Sequence, residues 1–124
     1  MQNPPRPPYG VCLPAKLLGV VDGDTVDLSV LSGRLLPRIR LCACWAPEMK
    51  TAAGKAAKKA AEKFLDEADP KQLAVWIPAP IHLDNLLKNL TFDRIPGWVF
   101  IGETETLNHA MVAAGHATER KAKR

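Results

Sequence analysis

Short aliphatic and β-branched runs alternate with turn residues through the first third of the chain. KLLGVV (16–21) runs into Asp22-Gly23, DTVDLSV (24–30) into Leu31-Ser32-Gly33-Arg34, and LLPRIRL (35–41) closes the series. β-Branched side chains suit a pleated, half-buried surface, and Asp and Gly supply the turn backbone between them, so the pattern predicts three antiparallel strands joined by hairpins. The period then changes. In TAAGKAAKKAAEKFLDEA (51–68), Ala53, Ala56, Ala57, Ala60 and Phe64 recur at helical spacing while Lys55, Lys58, Lys59 and Glu62 fall mostly elsewhere, a surface helix that Asp69-Pro70 ends. QLAVWI (72–77) and GWVFI (97–101) read as a fourth and a fifth strand, separated by 78–90, a loop with room for a helical turn. Thr106 is placed to cap LNHAMVAA (107–114), with Gly115 where that helix would stop.

Proline lacks a backbone donor and fixes φ, so NPPRPP (3–8) cannot sustain a helix or a central strand. ERKAKR (119–124) is too polar to pack. The expected organisation is therefore an extended or disordered leader (1–14), one folded domain (15–118) and a basic polar tail (119–124). Five short strands with a helix after the third predict a β-rich α+β fold: a five-stranded, OB-like Greek-key barrel with two or three helices. A chain of 124 residues, 47% hydrophobic, can bury one modest core without a staple.

A formal charge of +4 lets the domain approach polyanions. Three cysteines are an odd number, and Cys42 and Cys44 read as one strand, where i and i+2 share a face but seldom join, so reduced thiols are expected. Cys12, Cys42, Cys44, His82, His109 and His116 have no zinc-site spacing. As an EF-hand, the run from Asp22 to Asp27 fails at Val26 and Gly33, where ligands are required. No apolar run near the start is long enough for a secretory signal or membrane span, so a cytoplasmic protein with no membrane partner is expected.

The hairpin centred on 31–34, if symmetric, sets position 24 opposite position 41 and brings Asp24 and Arg40 to one end of the sheet. The chain leaves that end through Trp45-Ala46-Pro47-Glu48. Hydrolysis of a phosphodiester needs charge compensation on the phosphorus, a positioned water and often a hard cation with oxygen ligands, and carboxylates with arginines supply all three. On that chemistry alone, the reading to be displaced is that Asp22 and Asp24 are turn residues and that Arg40 and Glu48 are exposed strand-end charges.

VVDGDTVDL (20–28), RLCACWAPE (40–48), FDRIPGWVF (92–100) and LNHAMVAAGHA (107–117) together resemble the staphylococcal nuclease family in order and spacing. The resemblance implies an OB-like barrel with calcium-dependent endonucleolytic cleavage of DNA and RNA, leaving 3′-phosphate ends. It implies Arg40, Glu48 and Arg94 as the catalytic group, Glu48 acting on water and the arginines on the phosphate oxygens. It implies Asp24 and the backbone carbonyl of Ala46 as metal ligands, with Asp22 in the outer shell and Thr25 orienting it. Arg38 is not the family's arginine. Trp45 stands where the family carries a second metal-binding aspartate, which leaves room for magnesium or manganese in place of calcium. Trp45 could stack on a base, with Phe92 and Lys50 as further expected nucleic-acid contacts, or simply cap the barrel. The family also continues past the Gly-x-Ala block, which implies a more open site here, in a monomer or homodimer. The alternative expectation is a barrel of the same shape that binds nucleic acid or protein without cutting.

Overall fold

The computed structural model describes residues 11–78 and 94–120. Five strands, β1 (Val11–Asp22), β2 (Thr25–Val30), β3 (Arg38–Leu41), β4 (Ala74–Ile77) and β5 (Ile95–Phe100), close into a barrel in the order β1-β2-β3-β5-β4. All neighbouring pairs are antiparallel except β3 with β5, which run parallel. The expected OB-like β-rich α+β barrel is the fold observed, with two helices among the described residues: α1 (Ala52–Glu67) and α2 (Leu107–Ala113).

β1 begins at Val11 rather than at Lys16. Its first four residues pair with β4 and the remainder with β2, so one strand serves both sides of the closure. Register shifts between Leu17 and Gly19 and between Val20 and Asp22 bend it, as a strand turning a barrel corner must bend. β2 alternates as a barrel strand should, with Val26, Leu28 and Val30 inside and Asp27 and Ser29 on the outer side. Ile39, Leu41, Ile95, Val99, Leu107 and Met111 fill the rest of the same core. At about 1.5–3 kcal/mol for each fully buried aliphatic side chain, this interior is the main stabilising term.

Thr51 caps α1 by accepting the Gly54 N–H, and Thr106 caps α2 by accepting the His109 N–H. Gly54, Ala57, Ala61 and Leu65 form the buried stripe of α1. Gly115 ends α2 at φ 81°, donating to the Val112 carbonyl while His116 N–H reaches Met111, a left-handed stop that needs glycine. Among the described residues, no helix is long and apolar enough to cross a membrane.

Candidate active site

The β2–β3 pairing sets Thr25 opposite Arg40, and Leu41 N–H donates to the Asp24 carbonyl at 2.8 Å, so positions 24 and 41 face each other as the symmetric hairpin requires. Asp22 closes the β1–β2 turn by accepting the Asp24 N–H on Oδ1 (3.0 Å). Gly23 between them has no room for a side chain, since a Cβ there would fall 2.7 Å from the Cβ atoms of both Ala46 and Ala57. The turn thus rests directly on the 46–48 segment and on α1.

Asp24 is the hub of the cluster. Its Oδ2 accepts the Ala46 N–H at 2.9 Å and lies 3.5 Å from Arg40 Nη2, while its Oδ1 accepts the Thr25 hydroxyl at 3.2 Å. Thr25 therefore serves Asp24 and not Asp22. Burial first, and then the adjoining Asp22 carboxyl, push the Asp24 carboxyl above its ordinary pKa, against the Ala46 amide and Arg40, which pull it down.

The loop after β3 is pinned almost residue by residue. Arg40 Nη1 donates to the Leu41 carbonyl and, at 2.7 Å, to the Cys44 carbonyl. Ala43, at φ 50°, makes the left-handed turn between them, so Cys42 and Cys44 sit in a turn and not, as expected, in one strand. All three cysteines are free thiols. The Asn108 amide nitrogen donates to the Cys42 carbonyl at 2.9 Å, and Trp45 exchanges both backbone hydrogen bonds with Thr118. The indole of Trp45 lies over the Arg40 guanidinium, 4.2 Å from ring centroid to Cζ, and remains 39% exposed.

The other end of the Arg40 fork is held less tightly. Arg40 Nη2 is buried and makes no hydrogen bond. Its neighbour is Asp24 Oδ2, an ion-pair partner at 3.5 Å, so this end of the fork is held by charge without a hydrogen bond, and an anionic oxygen placed to accept from it would gain on that contact.

The structure therefore brings Asp22, Asp24, Arg40, Trp45 and Ala46 into contact, while Glu48 follows two residues after Ala46 and Arg94 immediately precedes β5. Glu48 is exposed and takes the Lys50 ammonium at 3.1 Å, so Lys50 is tied to the acid beside it. Arg94 is exposed and immediately precedes β5. Because Ile39 pairs with Ile95 in parallel, Arg94 stands beside Arg38, on the outer face that also carries Arg40. Arg38 is occupied: its fork grips Asp27 across the hairpin at 2.8 and 3.1 Å. Phe92 and most of the 78–90 loop lie outside the described residues.

Two residues that the sequence does not single out for the site prove to build it. Asn108 is fully buried, and a buried amide inside an apolar helix pattern was the signal available. Thr118 carried none, because it acts through its backbone. Among the described residues, no three His, Cys, Asp or Glu side chains are grouped to hold a metal ion. After its two hydrogen bonds Asp24 still has a lone pair on each oxygen, and Asp22 crowds it with a second acid, so the pair offers part of an oxygen shell. Such a set suits an ion that keeps most of its waters better than one needing six to eight protein oxygens.

Neither a scan against protein-family models nor a search of curated proteins finds a match for this chain.

Proposed function

We propose that this protein is a nuclease that hydrolyses phosphodiester bonds of DNA, RNA or both at the Asp24–Arg40 cluster. The observation that carries the reading is Arg40 Nη2, a buried donor that makes no hydrogen bond and is held only by its ion pair with Asp24, at 3.5 Å, at the end of a barrel hairpin. In this reading a phosphate oxygen takes Nη2, displacing the indole that covers the guanidinium. Arg94, on the same outer face, adds a second permanent cation to the phosphorane. Preorganised donors of this kind contribute about 10²–10³ in rate each. Glu48, two residues beyond Ala46, orients and deprotonates the attacking water. Asp24, with Asp22 behind it, would hold a divalent cation completed by carbonyls such as that of Ala46, waters and substrate oxygens. Bound there, magnesium, manganese or calcium would supply further charge compensation.

A second reading has its own observation. Trp45 stands exposed where a carboxylate would serve a metal, and it already stacks on Arg40. An aromatic ring over a fixed arginine is suited to holding a base and phosphate without cutting.

One assay separates the two. Purified protein is incubated with single-stranded DNA, double-stranded DNA and RNA in calcium, magnesium, manganese or chelator. Metal-stimulated cleavage that falls at least about a hundredfold in Glu48→Gln and in Arg94→Ala, both exposed positions, supports the enzyme. Binding without cleavage in every metal supports the second reading.

A further inference from the structure

The charge order of α1 runs against its own dipole. The N-terminal end of a helix favours acids and the C-terminal end favours bases. In α1 the first turn contains no acid and the last turn no base. Lys55, Lys58 and Lys59 occupy the first half, and Glu62, Asp66 and Glu67 the second, where Lys63 is the one base among three acids. At 100° per residue, Lys55, Lys58 and Lys59 share one side of the helix, and Glu62 and Asp66 continue that side further on. Among the described residues none of the three lysines forms an ion pair, although Glu62 lies four residues from Lys58 and three from Lys59. Lys55 and Lys59 also repel each other at i,i+4. Three cations are thus gathered where local electrostatics disfavours them.

This end of the helix adjoins the site. A Cβ on Gly54 would overlap the Glu48 carbonyl, and one on Gly23 would meet Ala57, so the first two turns of α1 touch both segments that frame Asp24. We infer that Lys55, Lys58 and Lys59 bind the phosphates of a single nucleic-acid strand flanking the one at Arg40, so that the protein grips a run of nucleotides rather than an isolated phosphodiester. Lys55 and Lys59 are about 6 Å apart along the axis, and Glu62 and Asp66 end the track by repelling the strand. The exposed ring of Trp45 favours a single strand, whose bases are free to stack. The inference rests on the proposed nuclease reading for the phosphate at Arg40, but concerns binding alone.

The test measures binding of a fluorescent oligodeoxythymidylate 12-mer in chelator over a series of salt concentrations. Each neutralised phosphate contributes about 0.7 to the slope of log K against log salt on a single strand. Lys55→Gln with Lys59→Gln, both exposed, should therefore lower that slope by about 1.4 and weaken the 12-mer, while a dinucleotide binds as before. Lys71→Gln, at the groove lined by Leu31 to Gly33 across the barrel, should leave the slope unchanged. An unaltered slope in the double variant overturns the track even if the protein cleaves. Lysines needed only for binding phosphatidylserine vesicles, and not the 12-mer, would overturn it as well. A slope that falls as expected in a protein that never cleaves upholds the track and rejects the nuclease.

Discussion

Asn108 on α2 donates its amide to the Cys42 carbonyl at 2.9 Å, so a helix residue holds the first peptide of the loop that carries Trp45, Ala46 and Glu48. The same side chain accepts the Val99 N–H at 3.0 Å and donates to Gly97. In Asn108→Leu the Gly97 carbonyl keeps its bond from Cys42 N–H, but the Val99 N–H and the Cys42 carbonyl lose theirs. Each buried polar group left without a partner costs about 1–3 kcal/mol, so this variant should lose about 2–6 kcal/mol in urea unfolding. A midpoint unchanged from the wild type would remove Asn108 from the support of the site.

Local signals in the sequence were the ones that carried through to the fold. Thr51 and Thr106 cap as their spacing implies, because a cap needs only its own next three residues. The four-residue turn fixed the hairpin register and hence the meeting of Asp24 with Arg40. Long-range or conformational features were not legible. The start of β1 at Val11 depends on β4, more than fifty residues later, and nothing around Cys12 and Pro14 announces it. The left-handed Ala43 has no residue signature, since alanine rarely adopts that backbone, so Cys42 and Cys44 read as strand. Arginine spacing could mark Arg40 as functional, but not that one nitrogen holds two carbonyls while the other holds none.

Trp45→Asp should create a third acid beside Asp24 and Asp22. More oxygen ligands of like charge raise the affinity for a hard cation. Calcium titration by calorimetry should show binding at least about tenfold tighter than in the wild type, at the loss of about 0.5–1 kcal/mol of stacking on Arg40. If calcium binds the variant no more tightly, the cation does not sit at Asp24.

Gly54→Ala tests how closely α1 is seated against the loop that ends in Glu48. In an exposed helix interior the exchange gains about 1 kcal/mol. Here the new methyl would overlap the Glu48 carbonyl, which also accepts the Thr51 N–H and hydroxyl, so the helix start and Glu48 must move together. Thermal unfolding should show a net loss of about 1–3 kcal/mol. Cleavage by the folded fraction should fall too, because Glu48 is displaced.

The two thiols of the loop give the fold a sensitivity to alkali. Burial pushes Cys44 from 9.0 to about 12, helped by the Asp24 charge and opposed by Arg40. Burial likewise pushes Cys42 to about 11, again against Arg40. A thiol that holds its proton more tightly when folded stabilises the native state fully below its unfolded pKa, and that contribution is lost as pH rises toward the folded value. Between pH 9.0 and about 11–12 each thiol should therefore remove about 1.4 kcal/mol per pH unit. Urea midpoints taken from pH 8 to 10.5 should fall more steeply in the wild type than in Cys42→Ala with Cys44→Ala, whatever the variant loses at pH 8 from the smaller side chains. Iodoacetamide at pH 8 should spare Cys44 in the folded protein and label it on unfolding, since the reactive thiolate is scarce while the side chain stays buried. Parallel slopes in the two proteins would mean that both thiols ionise in the native barrel as easily as in water.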